Sequence, residues 1–532
     1  MISRLVFCNT VLFLILTYCY TYAQQGPLPP FTIELQQVDA PQLPGIHSYA
    51  KAVSGDKWLI VTGRIDGLHS FFPNSAFAPT EANQSIIVID TDDWQVWSAS
   101  VTLLPYSIRT SLSASNAEFI QDGNQLYIVG GYGYDSLTNS KITFPTLTAI
   151  DVDAVINEVV SGNNNLSPYI RQLSDTVLSV TGGALQKIGD TFFLVAGHNF
   201  SGLYTKLPTN SFLQKYTNSI SSFQLADDGT NLSISNFTKQ TDTVNFHRRD
   251  FNAIPLVNGD GSESIGLYGG VFQYDKNLPY LHPVYINETS AITDTFFEQK
   301  MSQYTCPVIP CFDSVTHTMY TTFFGGISLY DCNDTTNILE EDTLVPFIND
   351  ITTVIRFEND STTETVLPVK LSGLYGANAD FFPLTNIPKY ENGVIKLSSI
   401  NGKQLIGYIY GGINTNKANE GYSYASNLVF RVYLTPDFAT SATSNLIPED
   451  FNIFPNPVND HLQILFSLNT SQRVEIKLLN LFGEEIATLA DGIFSAGNQQ
   501  VHFNAAHLTT GIYAVRFISD EKIITKKLMV IK

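Results

Sequence analysis

The chain has 532 residues, 44% hydrophobic and 15% charged, with a formal net charge of −20. That length could hold roughly two to four domains, and that balance excludes a broadly disordered chain. So acidic a body repels nucleic acid, and no nucleic-acid partner is expected.

Residues 1–23 set Arg4 before an apolar run to Leu16 and end in Thr21-Tyr22-Ala23. This is the pattern of a secretory signal peptide, with cleavage expected after Ala23. Cys19 invites a lipoprotein anchor, but Tyr18 before it is too bulky for a lipobox. No later segment runs to about 18 consecutive apolar residues, so no membrane span is expected. Losing Arg4 leaves −21, and Phe451–Lys532 carries seven acids and seven bases, so the body between holds the whole charge. Cys306, Cys311 and Cys332 remain after cleavage, too few for a disulfide framework.

The body opens on a strand-like stretch, Phe31–Asp39. Six segments then share one pattern, a β-run closed by a small or glycine pair and followed by a polar, aromatic loop. They are Trp58–Gly63, Leu126–Gly131, Phe192–Gly197, Ile265–Gly270, Tyr320–Gly326 and Gly407–Gly412. Their last glycines stand 68, 66, 73, 56 and 86 residues apart. Each interval has room for four strands and their loops, which is one propeller blade. Inner strands crowd a central axis, and a residue without Cβ allows both close approach and positive φ there. The sixth unit ends at its third strand, Asn427–Leu434. Phe31–Asp39 is therefore expected to complete the last blade.

The glycine pair and loop GGYGYD, with Asp90, Trp97, Pro105 and Arg109, resemble the kelch repeat in the first two units; later units keep the glycines and lose the tryptophan. The resemblance covers most of Phe31–Pro436. It implies an all-β fold, a six-bladed kelch-like β-propeller, with loops after the glycines on one face.

Loops rich in Tyr, Phe and Asn are where such folds place recognition, and they suit a glycan or a protein partner. Phe71, Tyr134, Tyr204 and Tyr424 lie in these loops. The connections entering the inner strands bring His47, Arg109, Arg248 and Arg249 to the same face. These eight residues are the candidate ligand contacts.

Nothing in the sequence calls for a metal or cofactor: there is no H-E-x-x-H, Cys-x-x-Cys or EF-hand loop. Asp90–Trp94 is acidic but lacks the glycine of a calcium loop and reads as a turn. Sialidase-type Asp-boxes are absent. A copper-radical oxidase resembling galactose oxidase is the enzymatic alternative. Its ingredients exist in His47, His69, His198, His247, His282 and His317, the three cysteines and the many tyrosines, but no local motif arranges them. In the segment CPVIPC, an extended chain would hold Cys306 and Cys311 ~16 Å apart, against the ~7 Å a disulfide tolerates. Any disulfide is expected to be Cys306–Cys332.

Residues 437–450 form a polar linker. Beyond it, about seven short alternating strands suggest a small immunoglobulin-like β-sandwich. The opening Pro455-Asn456-Pro457, Gly511 and Tyr513 with Val515 and Arg516, and the basic Lys526, Lys527 and Lys532 resemble a C-terminal sorting domain of the type IX secretion system of Bacteroidota. The resemblance covers Phe451–Lys532. It implies the secretion machinery as partner, passage through the periplasm, a cut in the linker, and release or display at the outer-membrane surface.

Overall fold

Runs such as Lys57–Val61, Gln125–Val129 and Thr191–Val195 are apolar and buried along nearly their whole length. Such runs fit strands covered on both faces rather than one-sided sheets. The computed structural model describes residues 26–73, 75–205, 211–336, 338–419, 421–437, 451–468, 471–480, 485–495, 497–519 and 523–532. The expected signal peptide and nearly all of the linker lie outside these residues. The described chain is nearly all β, with two short α-helices, Tyr106–Ser111 and Val152–Ser161. Its contacts divide it into two compact units between Asp437 and Phe438.

In the larger unit, six antiparallel sheets of four strands follow one another in sequence, the fifth extended by a short parallel strand. Their first strands are Ala50–Ser54, Glu118–Asp122, Ala184–Ile188, Asn252–Val257, Val308–Asp313 and Ala379–Pro383. In sheets one to five the chain runs outward strand by strand. The sixth takes its outer strand from the start of the chain: Phe31–Val38 pairs antiparallel with Val429–Pro436, as the strand character of Phe31–Asp39 led us to expect. Phe31, Ile33 and Val38 are buried by this pairing, while Thr32 and Glu34 face solvent.

The six entries to the inner strands are joined by a closed cycle of backbone hydrogen bonds. Ser48 N–H donates to Asn378 O (3.3 Å), Asn378 to Thr305 (2.9 Å) and Thr305 to Asp250 (3.1 Å). Asp250 then donates to Gly182 (2.8 Å), Gly182 to Asn116 (3.1 Å) and Asn116 back to Ser48 (3.4 Å). The sixth sheet meets the first through stacked rings, Trp58 on Phe382 at 4.1 Å, and through the ion pair Lys51–Asp380 at 2.5 Å.

The repeated pair at each second strand's end has positive φ in all six units, which gives the glycines their reason. At Gly130 an added Cβ would sit 1.9 Å from Val180 O. Thr62 (φ 61°) and Ala196 (φ 46°) hold the same position without glycine's freedom.

The smaller unit has seven described strands in two sheets around a shared core that includes Phe451, Ile464, Phe466, Ile476, Val515, Phe517 and Leu528. The three cysteines are separate buried thiols. The expected Cys306–Cys332 bridge is not formed: Cys306 packs with Tyr268 and Phe323, and Cys332 lies in another cluster with Met301 and Ile348.

Candidate functional site

The six residues of the hydrogen-bonded cycle stand at the mouth of a cavity of about 680 Å³ lined by the inner strands. On its far side from the loops this cavity holds Lys51 with Asp380 and Lys187 with Asp122. Glu118, buried at the second sheet, accepts a hydrogen bond from Gly183 N–H (2.7 Å) across to the third. Burial pushes its carboxyl up to about 8, against the opposing Gly183 N–H and with a further push from Asp250.

Around the cycle on the loop side, basic and aromatic side chains converge. Arg64 follows the first glycine pair directly and chelates Asp66 two residues on, at 2.8 and 2.6 Å. His47 lies 3.7 Å from the same carboxylate. Burial works to raise Asp66, but the nearby His47 and the chelating Arg64 guanidinium outweigh it and hold the carboxyl at about 2. Arg249 bonds the hydroxyls of Tyr216 and Tyr204 and pairs with Asp250 at 3.3 Å. Burial works against its charge, and Tyr216 and Asp250 more than offset that, so its pKa is raised.

The rings form one continuous cluster from the first unit to the fourth. His69 stacks on Phe77 (4.7 Å) and meets Phe71 (4.8 Å) and Tyr204 (4.9 Å) edge-on. Phe77 meets Tyr132 at 5.1 Å, and Tyr216 stacks on His247 at 3.7 Å. Burial, with Arg64 and Arg249 nearby, lowers His69 to about 4, and burial lowers His47 and His198 as well. These imidazoles are therefore neutral at pH 7. The site offers ring faces, with two guanidinium groups, Arg64 and Arg249, fixed and mostly buried beneath them.

Of the eight candidates, His47, Phe71, Tyr204 and Arg249 belong to this cluster. Arg109 and Tyr134 line an adjoining pocket of about 200 Å³ together with Arg64, Phe77 and Tyr132. Tyr424 is exposed and held by Asn414 Nδ2 at 2.9 Å, on the sixth unit's hairpin. Arg248 lies apart from solvent: it is 0% exposed, donates to the carbonyls of Asn245, Gly269 and His282, and covers the Tyr280 ring at 4.2 Å. It holds loops together. Arg64, Asp66 and Phe77 were missed in the sequence, and His69 was weighed there only as a copper ligand. The arginine two residues before an aspartate, straight after the first doublet, was the available signal.

The donor set of a copper-radical centre does not assemble among the described residues. His198 bonds Gln214, His247 bonds Asn218, His282 the Phe297 carbonyl and His317 the Gly259 carbonyl. The three cysteines are buried elsewhere. The one group of described acids or histidines close enough to share an ion is Asp56, Asp90 and Asp92, and Lys57 already bridges the first two at 3.1 and 2.9 Å.

In the smaller unit the motif residues hold the first and last strands together. Asn456 Nδ2 donates to Lys527 O (2.7 Å) and its Oδ1 accepts from Met529 N–H (2.8 Å). Pro455 and Pro457 flank it, each after a cis peptide bond. Gly511 pairs with Val530, and Tyr513 caps its own turn through Thr509 O at 2.9 Å. Lys526 reaches Asn452 (2.9 Å) and Lys532 reaches Asp460 (3.0 Å).

Residues 452–532 match the family model of the secretion system C-terminal sorting domain, and this segment is such a domain. It supports export by the type IX secretion system. Comparison with curated proteins gives no match. Among solved structures, the chain is similar to one titled "Structure of YjhT", at 10% identity and a TM-score of 0.40, over 73% of this chain and all of that one. No helix of the described residues is long and apolar enough to cross a membrane.

Proposed function

We propose that this is a secreted or surface-displayed binding protein of Bacteroidota, whose body, residues 31–436, is a six-bladed kelch-like propeller that recognises a glycan or protein through its loop face. The sorting domain directs it through the periplasm to the outer membrane, and the linker 437–450 is where the tail is removed. Six sequential sheets, six doublets of positive φ and the six-membered hydrogen-bond cycle support the propeller reading. A signal peptide ending at Ala23 completes the route.

The convergence of Arg64, Arg249 and the ring cluster from His69 to His247 carries the binding reading. Aromatic faces bury apolar area while their hydroxyls and the guanidinium groups fix orientation. Glycan-array binding of the secreted protein tests it: Phe71→Ala and Tyr204→Ala should weaken every ligand found, with export unchanged. Full binding by both variants would sink the site.

A further inference from the structure

The pocket beside the cluster has a chemistry of its own. Its charged lining is two arginines, Arg64 and Arg109, with no acid among the residues that line it. Arg64 is neutralised by Asp66. Arg109 is not: among the described residues no carboxylate lies within ion-pair distance of it, and its recorded contact is the Tyr106 ring at 5.1 Å. A half-buried guanidinium without a counterion, on so acidic a body, is an unfilled demand for an anion. Close by, Lys141 holds the carbonyl of Ala76, and burial, with the Arg64 charge adding to it, lowers its pKa to about 8.

The rest of the lining is that of a sugar subsite. Tyr134, 37% exposed, supplies an open ring, while Phe77, covered by His69 and Arg64, and the buried Tyr132 form the floor. Phe77 has φ 48°, a conformation a bulky residue rarely takes unless its surroundings impose it. The hydroxyls of Thr110, Ser113 and Ser136 already donate to Tyr106 O, Arg109 O and the Tyr106 hydroxyl, which leaves their oxygens free to accept. Acceptors of that kind suit the O–H donors of a sugar, and the volume of about 200 Å³ suits one residue of it rather than a chain.

We propose that this pocket takes one acidic pyranose of a larger glycan, its carboxylate or sulfate bound by Arg109 and its ring lying against Tyr134. This rests on the reading of the loop face as a binding surface and names its ligand class.

Titration calorimetry of the full chain separates the two. The probes are oligogalacturonate and its methyl ester, and a sulfated galactan and its desulfated form. The acidic member of at least one pair should bind at least tenfold tighter than its neutral counterpart, and Arg109→Gln should erase that difference. Thr102→Glu, on the exposed rim, should do the same by charge and serves if the arginine variant folds poorly. Binding of the acidic carboxylate pair or the sulfate pair identifies the anion. Equal affinity for acidic and neutral members, or an acidic preference that survives both variants, overturns the subsite while the face still binds glycan. No binding of any probe by the folded wild type overturns the subsite as well, and with protein-partner binding also absent the broader reading falls.

Discussion

Ser48 N–H donates to Asn378 O at 3.3 Å, so the entry to the first inner strand is fastened to the entry to the last. Each of the other four members of the cycle likewise bonds both neighbours, and the loop-side cluster is built directly on this ring. Stability of the ring and geometry of the site are therefore coupled. A residue that loosens one unit disturbs the positions of Arg64 and Arg249, which belong to different units.

Ile33, 6% exposed, belongs to the outer strand contributed by the start of the chain and packs with Val432 and Leu434 in the core. Ile33→Ala should cost about 2–5 kcal/mol by loss of burial and the cavity left behind. Thr32→Ala, one residue away on the open face, should cost under ~1 kcal/mol. Chemical denaturation of the two variants gives the comparison, and equal losses would contradict the pairing register.

Glu118 is buried and Glu364 half-buried, and their carboxyls are held up to about 8 and about 7, chiefly by desolvation. Each has a folded pKa above its unfolded one, so each keeps its proton in the fold after the unfolded chain has lost it. Their contribution is full below pH ~4.5 and is lost as pH rises through the folded values. Melting temperature should fall between pH 5 and 8.5, and Glu118→Gln, which keeps an acceptor for Gly183 N–H, should flatten that fall. A Glu118→Gln curve parallel to wild type would show the carboxyl ionised throughout.

Arg248 and Arg249 should part company on mutation. Arg248→Met strands three carbonyls, one buried and two partly buried, at roughly 1–3 kcal/mol each where water cannot replace the donor. It should lower the melting temperature strongly. Arg249→Lys keeps a charge but cannot span Tyr204, Tyr216 and Asp250 together. It should shift ligand affinity more than stability. The pair of melts and binding isotherms decides it.

Gly130→Ala should be severely destabilising, because the new methyl meets Val180 O at 1.9 Å at a φ of 64°. Ala196→Gly, at the equivalent position of the third unit with φ 46°, should be neutral or gain up to ~1 kcal/mol. Opposite signs in a thermal melt are the expected result.

Deleting Phe451–Lys532 should leave the body in the periplasm, as should disrupting the clasp with Asn456→Ala if sorting requires the folded tail. Fractionation of cells and medium reads this out. Surface-exposed body without its tail would remove the sorting role.

Much of this was legible because it repeats. Six doublets at similar spacing mark six sheets, and the unpaired character of Phe31–Asp39 pointed to the sheet that lacked a strand. The tail was legible through motif residues whose contacts are local to its two ends. Arg248 was misjudged as surface because its partners are carbonyls, and a carbonyl leaves no mark in the sequence. Arg64 and Asp66 were missed, and His69 was weighed only as a copper ligand, for the opposite reason: their arrangement depends on Phe77 and Tyr204, brought together by loops of different units. The sulfur pairing failed because Cys306 and Cys332 are buried in separate clusters, the first with Tyr268 and Phe323 and the second with Met301 and Ile348.

The pairing of Phe31–Val38 with Val429–Pro436 also sets an order in time. The strand made first is matched last, after roughly 390 residues have followed it, and closing a loop of that size costs on the order of 5 kcal/mol in chain entropy. Until then its backbone is an open edge able to pair with the wrong neighbour or another copy. A chain cut before Val429 has no partner to offer it, so its first strand stays an open edge and its sixth sheet unfinished.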